Sequence, residues 1–287
     1  MADERSTQWF SPAPGEEQSQ ANVDTGVAHI ARVYNYWLGG KDNFTADREA
    51  AEVVITSYPT VLTSVRAQRE FLGRAVSYLA GEAGIRQFLD IGTGLPSASN
   101  THEVAQQAAP ESRIVYVDND PIVLAHARAL LASSPQGATA YLDADLRNTG
   151  AILAEAADLL DFREPVAVML IGILHCIPDS DDPVGIVNRL LDAVPPGSYL
   201  VIAHPASDIH ANQIGTAANQ LNRLMAEPVT LRPHAEVARF FDGLDLVAPG
   251  LVQLHRWRAV PADPGAELAN YGGVARKPSL PEPHKAR

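Results

Sequence analysis

Two glycines in the first half of the chain have the type and spacing that nucleotide binding requires. Gly92 and Gly94 flank Thr93 and follow a short apolar run at 87–91, and a helical segment begins soon after them. Glycines one residue apart let the chain turn tightly and bring bare N–H groups close to a ligand at a helix N-terminus. We therefore predict that Gly92, Thr93 and Gly94 contact a nucleotide cofactor.

Acidic residues follow each of the first three predicted strands. Asp90 precedes the glycines, Asp118 ends the second strand 24 residues after Gly94, and Asp145 follows the third. An acid at that spacing can accept hydrogen bonds from both ribose hydroxyls. We predict that Asp118 binds ribose and that Asp145 contacts adenine. The alternatives are that Asp118 caps the next helix, as strand-end Asp often does, and that Asp143 takes the adenine role.

The turn favours an adenosine cofactor without phosphates. Ser97 replaces the third glycine of the dinucleotide fingerprint, and Pro96 hinders close approach of the helix to a pyrophosphate. The Asp90 carboxylate would repel a pyrophosphate but suits a cation. S-adenosylmethionine carries an ammonium and a sulfonium and no phosphate, so these residues favour it over NAD.

The same stretches resemble a known class of enzymes. The runs DIGTGLPSASNTHEVAQ, VYVDNDPIVLAHARALL and YLDADLR are similar to the class I S-adenosylmethionine-dependent methyltransferases. Together with RVYNYWLGGKDNFTADREA they resemble, over about residues 24–277, an actinobacterial family of that class. This family, methyltransferase family 19, was first catalogued as a domain of unknown function. The resemblance implies that Asp90, Gly92 and Gly94 lie along the methionine part, that Asp118 binds ribose, and that Asp145 with Leu146 borders adenine.

Four further residues are predicted to contact the cofactor. They are Asn119 beside the ribose acid, Ile171 at the end of the fourth strand, and Tyr34 and Asn43 ahead of the sheet. Asn43 follows two glycines and so lies on a loop, where functional residues concentrate.

The aromatic residues before that loop have two interpretations. Tyr34, Tyr36 and Trp37 could cover the cofactor as part of a lid, or they could belong to the core. The i,i+3 spacing of Tyr34 and Trp37 supports the core interpretation for that pair. Asn35 stands where the family usually has Asp, which argues against an acid–base role at this position.

His175 is the predicted catalytic residue. It follows Gly172 at the end of the apolar fourth strand, where ligands reach an α/β sheet, and an imidazole suits proton removal near neutral pH. The alternative is a structural histidine that hydrogen-bonds the Pro178-Asp179 turn. Cys176 is not a convincing nucleophile, because sequence neighbours rarely face each other, and His204 is a weaker candidate than His175. We expect no metal site, because His102-Glu103 is not followed by a histidine at position 106.

The elements that position these residues alternate along the chain. Apolar runs predict strands, and apolar residues at helical spacing predict helices between them. We predict an α/β fold with a Rossmann-like class I methyltransferase sheet, mostly parallel, with an antiparallel edge hairpin formed by 247–255 and 269–276. The predicted strands are 87–91, 113–117, 139–142, 166–171 and 198–203. The predicted domains are a disordered tail at 1–22, a helical lid at 23–80, the cofactor-binding core at 81–277 and a second tail at 278–287.

Bulk properties narrow the function classes. The net charge of −12 argues against a generic nucleic-acid or anionic-membrane binder, and no apolar run is long enough to span a bilayer. Cys176 is the single cysteine and the N-terminus has no apolar signal region, which fits a reducing cytoplasm. We expect a cytoplasmic monomer or homodimer whose partner is a small-molecule acceptor.

These features lead to three functional hypotheses. The first is a methyltransferase that uses S-adenosylmethionine, in which the protein supplies mainly positioning and water exclusion. The second is a catalytically silent protein that senses this cofactor. The third is an NAD-dependent oxidoreductase, which Asp90 and Ser97 disfavour.

Overall fold

The computed structural model describes residues 24–96, 99–130, 133–259 and 266–279. Ser97, the predicted N-terminal tail and most of the predicted C-terminal tail lie outside these residues. None of the described helices is long and apolar enough to cross a membrane.

The described residues form nine α-helices, joined by short 3₁₀ turns. In chain order they are α1 Ile30–Trp37, α2 Thr45–Ser57, α3 Val61–Gly81, α4 Thr101–Ala108, α5 Pro121–Leu130, α6 Thr149–Ala156, α7 Pro183–Asp192, α8 Ala211–Leu221 and α9 His234–Ala238. The helices begin where the sequence offers suitable caps. At α4 the Glu103 carboxylate accepts the Asn100 N–H at 2.8 Å, and at α7 Pro183 takes the first helical position, where its missing N–H costs nothing.

Eight strands form one mixed sheet. They are β1 Gln87–Ile91, β2 Arg113–Asp118, β3 Ala138–Asp143, β4 Ala167–Ile171, β5 Tyr199–Pro205, β6 Asp245–Leu246, β7 Val252–Gln253 and β8 Asn270–Arg276. The strand order is β3-β2-β1-β4-β5-β8-β6, with β7 also pairing with β8. Strands β1 to β5 are parallel, and β8 runs antiparallel to β5, β6 and β7. The order reverses between β1 and β4, which is where such sheets bind ligands.

The core lies on both faces of this sheet. Successive residues of a strand point to opposite faces, so Phe88 packs in one layer with α3 and α4 while Leu89 packs in the other with α6 and α7. Both side chains are fully buried, and each such burial stabilises the fold by about 1.5–3 kcal/mol. The central strands are therefore held firmly, and their C-terminal ends provide fixed positions for the site.

The observed elements confirm the predicted α/β fold and refine its edge. Within the strand predicted at 247–255 only β7 forms, followed by a 3₁₀ turn at Leu254–Arg256, and the short strand β6 lies just before this range. β8 pairs with both of them, but it also pairs along its whole length with β5. Strand β8, which was predicted as half of an edge hairpin, is thus an interior strand of the sheet. Its pairing with β5 covers an edge that would otherwise be exposed.

Helix α3 differs from the helices before it. The prediction grouped 23–80 as a lid, but α3 contributes Phe71, Leu72, Val76 and Leu79 to the core layer under the sheet. Helices α1 and α2 pack against each other, α2 also packs against α8, and their buried side chains belong to the other core layer. The contacts therefore limit a candidate lid to the segment ahead of α3.

Candidate functional site

A cavity of about 480 Å³ opens at the C-terminal ends of β1, β2 and β4 and beside the β3 loop. This volume lies in the range of small-molecule and cofactor sites. We call the residues from the strand-end loops the floor; they are 90–96, 117–119, 144–147 and 171–173. We call the residues that face them the roof; they are 28–42 and 225–227. Side chains of α3 close one side.

The floor is built around the glycine turn after β1. Gly92 and Gly94 have φ angles of +74° and +67°, which L side chains rarely adopt. The Gly92 N–H donates to the Val117 carbonyl at 2.8 Å, and the Gly94 N–H donates to the Asp118 carboxylate at 2.7 Å. The turn is therefore fixed to the end of β2. A Cβ on Gly94 would meet nothing within 4 Å, so a ligand can approach this backbone closely.

Asp118 is a buried acceptor at the floor. Its side chain accepts the Gly94 N–H through one oxygen and the Asp120 N–H, at 3.0 Å, through the other. Burial raises its pKa, and the two backbone hydrogen bonds oppose that shift. Each carboxylate oxygen keeps a second acceptor position. Asp120, and not Asp118, caps the next helix: its carboxylate accepts the Ile122 N–H at 2.8 Å at the start of α5.

Asp90 is more deeply buried than Asp118. It is 5% exposed and accepts a hydrogen bond from the Thr101 hydroxyl at 2.6 Å. Burial raises its pKa to about 6, while the Thr101 hydrogen bond and the charge of Arg69 act in the opposite direction. Arg69, on α3, lines the same cavity. A buried acid and an arginine on one cavity wall can bind the two charged groups of an amino acid.

Asp145 belongs to an ionic network at the cavity mouth. Arg147 donates to the Asp145 carboxylate at 2.9 Å and to Asp181 at 2.7 Å, and it lies 3.6 Å from Glu227. Asp145 and Leu146 both line the cavity, whereas Asp143 is exposed and outside its lining. The structure thus places Asp145, and not its competitor, at the site.

The roof is held over the floor by a few polar contacts. Ala28 forms a β-bridge with Met225, which joins the two roof segments. The Tyr34 hydroxyl donates to the Val65 carbonyl at 3.2 Å, and the Tyr34 ring packs edge-on against Trp37. Tyr34 thus packs against the helical core and also lines the cavity, and its role in a lid stays a prediction.

A second contact ties the roof to the start of α5, directly after the floor residues 117–119. Nδ1 of His29 lies 3.0 Å from the Asp120 carboxylate, which is 3% exposed. Arg32 lies 3.3 Å from Asp47 and 3.8 Å from Asp120, so it joins both acids. Asp47 also accepts the His29 N–H at 2.9 Å. This cluster fixes the start of α1 above the end of β2.

The comparisons agree with this geometry. The sequence model of a family described as S-adenosyl methyltransferase matches residues 16–278. The chain belongs to this family. A protein of the family DUF574 from Streptomyces avermitilis MA-4680 is 48% identical; the match covers 89% of this chain and 99% of that one, with a TM-score of 0.86. A protein from Thermobifida fusca YX is 40% identical over 89% of this chain and 96% of that one, with a TM-score of 0.81. No curated protein matches the chain in sequence.

Family membership decides among the three hypotheses. The protein is an S-adenosylmethionine-dependent methyltransferase, rather than a silent cofactor sensor or an NAD-dependent oxidoreductase. The residues at the floor of this methyltransferase suit its cofactor. The open approach to Gly94, the free acceptor positions of Asp118 and the buried acid Asp90 fit an adenosine with a cationic amino-acid tail.

Ten of the eleven residues predicted to contact the cofactor line this cavity. They are Tyr34, Asp90, Gly92, Thr93, Gly94, Asp118, Asn119, Asp145, Leu146 and Ile171. The exception is Asn43, which is buried behind the roof. Its amide donates to the Asn35 side chain at 2.9 Å and to the Gly40 carbonyl at 3.0 Å. Asn43 therefore shapes the roof loop, and the cavity side of that loop is formed by Asn35, Gly40 and Asp42.

The structure places the predicted catalytic residue, His175, outside the cavity lining. A 3₁₀ turn at Leu174–Cys176 turns Cys176 to the cavity and the His175 ring toward His204, with ring centroids 6.3 Å apart. Burial and the nearby charge of Arg232 lower the pKa of His175 to about 4. The predicted catalytic residue therefore does not line this cavity, and its catalytic role stays a prediction.

Of the structural alternatives for His175, the packing role fits its position, whereas the hydrogen bond to the 178–179 turn is made by another residue. Arg232, not His175, holds the 178–179 turn: it donates to the Ile177 carbonyl at 2.8 Å and to Asp179 at 2.7 Å. Arg232 also contacts Nε2 of His204 at 2.9 Å. His175 thus packs behind the cavity wall that Cys176 and Ile177 form. Burial raises the pKa of Cys176 to about 12, so its thiol stays protonated.

Sequence reasoning missed several cavity residues. His29, Gln68, Arg69, Arg147 and Glu227 all line the cavity. Arg69 had a usable signal, since it lies beside the buried stripe of α3 that includes Gln68 and Leu72. His29 and Glu227 had none, because each reaches the cavity through contacts between segments far apart in the chain. Among the described residues, no group of three or more His, Cys, Asp or Glu side chains is placed to hold a metal ion.

Proposed function

We propose that this methyltransferase acts on a small molecule bound between the floor and the roof. The observation that carries the proposal is the roof itself: segments 28–31 and 225–227 are joined by the Ala28–Met225 bridge and enclose about 480 Å³. A cavity closed in this way admits a cofactor and a small acceptor and excludes bulk water from the transfer.

The floor residues suit the parts of the cofactor in a specific arrangement. Asp118 accepts the ribose hydroxyls, and Asp145 with Leu146 borders adenine. Asp90 faces the ammonium group, and Arg69 binds the carboxylate of the same amino-acid tail. S-adenosylmethionine, when bound, supplies a methyl group already activated by its sulfonium. The protein's own contribution is orientation, because a positioned nucleophile gains a large effective concentration.

The remaining lining residues indicate the character of the acceptor. Most of the cavity surface outside the cofactor assignment is apolar, and it includes Leu38, Ile173, Cys176, Ile177 and Met225. Glu227 lies beside these residues and is 54% exposed. We propose an acceptor with an apolar body and a polar group that Glu227 contacts.

We further propose that residues 24–58 act as a lid. They supply most of the roof, α2 packs on α8, and the Gly39 φ of +82° provides a turn that other residues adopt poorly. Opening of this segment would admit the acceptor, and closure would exclude water.

An acceptor screen tests the proposal. The full-length protein is incubated with methyl-labelled S-adenosylmethionine and a panel of small phenols, alcohols, amines and carboxylic acids with apolar bodies. Asp118→Asn serves as the control for cofactor-dependent transfer. We expect labelled small-molecule products that the control does not form. Label that appears only on protein or nucleic acid added to the same reactions would overturn the small-molecule assignment.

A further inference from the structure

His29 and Asp120 have the geometry of a histidine oriented by a carboxylate. Nδ1 of His29 lies 3.0 Å from Oδ2 of Asp120. The Ala31 N–H also approaches the same nitrogen, but at 3.4 Å. A nitrogen at 3.0 Å from a carboxylate carries the proton, because two acceptors at that distance would repel each other. A protonated Nδ1 cannot also accept the Ala31 N–H, so the longer contact is not a hydrogen bond in this tautomer.

This arrangement leaves the other ring nitrogen without a proton. When Nδ1 of a neutral imidazole is protonated, Nε2 holds a lone pair and can accept a proton. The structure gives Nε2 of His29 no hydrogen-bond partner among the described residues, and His29 lines the cavity. The side chain is 33% exposed, so it is open to a ligand.

The surroundings stabilise the carboxylate. Burial opposes the charge of Asp120, but the hydrogen bond from His29, the Ile122 N–H and the charge of Arg32 outweigh it and lower the pKa of Asp120. Arg32, Asp47 and Asp118 are the other charged groups that face His29.

We propose that His29 is the general base of the methyl transfer and that Asp120 is its positioning residue. For an acceptor with an O–H or N–H group, the oxygen or nitrogen gains the methyl group and loses its proton to Nε2 of His29. The carbon–sulfur bond of the cofactor breaks and its electrons stay on sulfur. Asp120 stabilises the resulting imidazolium, and the proton then leaves to solvent.

Three other titratable side chains, those of His175, Cys176 and Tyr34, are less suited to this role. His175 lies outside the cavity, and the Cys176 thiol stays protonated. Burial raises the pKa of the Tyr34 hydroxyl, which already donates to a carbonyl. The inference rests on the proposed function only in its kinetic test, which needs an acceptor. The tautomer of His29 can be tested without one.

The tautomer is tested by nitrogen NMR of the full chain, labelled with ¹⁵N-histidine and saturated with S-adenosylhomocysteine. The nine histidines are resolved by comparison with His29→Gln, which removes one set of signals. We expect this set to show a protonated Nδ1 and an unprotonated Nε2 above neutral pH. Asp120→Asn should change the tautomer or its proton exchange. A proton on Nε2 of neutral His29 would overturn the inference.

Kinetics with an acceptor from the screen test the catalytic step. We expect His29→Gln to lower kcat by about 10²–10⁴-fold and S-adenosylhomocysteine affinity by less than threefold. His126→Gln is the matched control, because His126 is 32% exposed and lies 3.7 Å from Asp42 but does not line the cavity. It should leave kcat unchanged. A kcat within threefold of wild type for His29→Gln, or a loss matched by equal losses in affinity and melting temperature, would show that His29 only anchors the roof.

Discussion

The floor and the roof of the cavity are built in different ways. The floor rests on β1, whose five residues are all buried, and its glycine turn is fixed by backbone hydrogen bonds to β2. The roof rests on a β-bridge and on the ion-pair cluster of His29, Arg32, Asp47 and Asp120. Under the proposed function, this difference separates two tasks: the floor positions the cofactor, and the roof controls access to it.

The largest expected effect is the loss of the floor turn. In Gly92→Ala the new Cβ would lie 2.5 Å from Cβ of Ile173, in a backbone with φ +74°. Left-handed backbone costs an L residue about 1–2 kcal/mol, and overpacking adds about 1–3 kcal/mol. We expect a loss of about 2–5 kcal/mol in the free energy of unfolding, measured by urea denaturation.

Gly84→Ala is the matched control for this change. Gly84 has the same φ of +74°, but a Cβ there meets nothing within 4 Å. We expect a loss of only about 1–2 kcal/mol, from the backbone alone. Equal losses in the two variants would show that Ile173 yields easily and that the floor is softer than described.

The second effect concerns binding at the floor. Asp118→Asn removes the charge that strengthens hydrogen bonds from ribose, each of which is worth about 1.5–3 kcal/mol, but keeps one acceptor oxygen for the loop. We expect calorimetry to show at least a tenfold weaker affinity for S-adenosylhomocysteine. Asp143→Asn, at the register partner of Asp118 on β3, should leave the affinity unchanged. An unaltered dissociation constant for Asp118→Asn would show that Asp118 does not bind the ribose.

The same contrast explains what the sequence could predict. Strands β1 to β5 and the acids at the floor follow from local patterns, because a strand's apolar run also fixes where its end lies. The placement of α3 under the sheet did not follow, since a helix stripe does not say which surface covers it.

The roof depends on contacts between distant segments, and there the predictions failed. Asn43 was expected at the cavity, but its amide is used by Asn35 and Gly40. His175 was expected there because it follows β4, yet one 3₁₀ turn directs its ring to His204. His29 escaped notice because its partner, Asp120, is some ninety residues further along the chain.

The third expected effect concerns the cost in stability of burying Asp90 at the floor. The pKa of the Asp90 carboxyl is about 6 in the folded protein, compared with its ordinary value of 3.8. Because folding raises this pKa, the stabilising contribution of protonated Asp90 is complete below pH 3.8 and is lost as the pH rises through 6. We expect ligand-free Asp90→Asn to be more stable than wild type by about 1–3 kcal/mol at pH 8, with the difference vanishing near pH 4.

Urea unfolding of both proteins at the two pH values measures this effect. Asp145→Asn is the comparison, because Asp145 is 37% exposed and paired with Arg147. It should show no such gain at pH 8. A gain at pH 4 equal to that at pH 8 would mean that something other than the buried charge of Asp90 is responsible.

The smallest effect is expected in the roof. Hydrogen exchange of backbone amides is compared with and without S-adenosylhomocysteine. We expect slower exchange in 28–43 when the ligand is bound, because closure removes openings of low free energy, while α3 changes little. Protection confined to the floor loops would mean that residues 24–58 are a fixed part of the fold and not a lid.

The most direct test of the central claim is a crystal structure of the full chain with S-adenosylhomocysteine. We expect S-adenosylhomocysteine to bind between the floor and the roof. Its ribose hydroxyls should contact Asp118, its adenine should lie beside Asp145 and Leu146, and its amino-acid tail should lie between Asp90 and Arg69. His29 should face the sulfur side with Nε2 unobstructed. A ligand bound elsewhere, or one whose ribose is away from Asp118, would contradict the account.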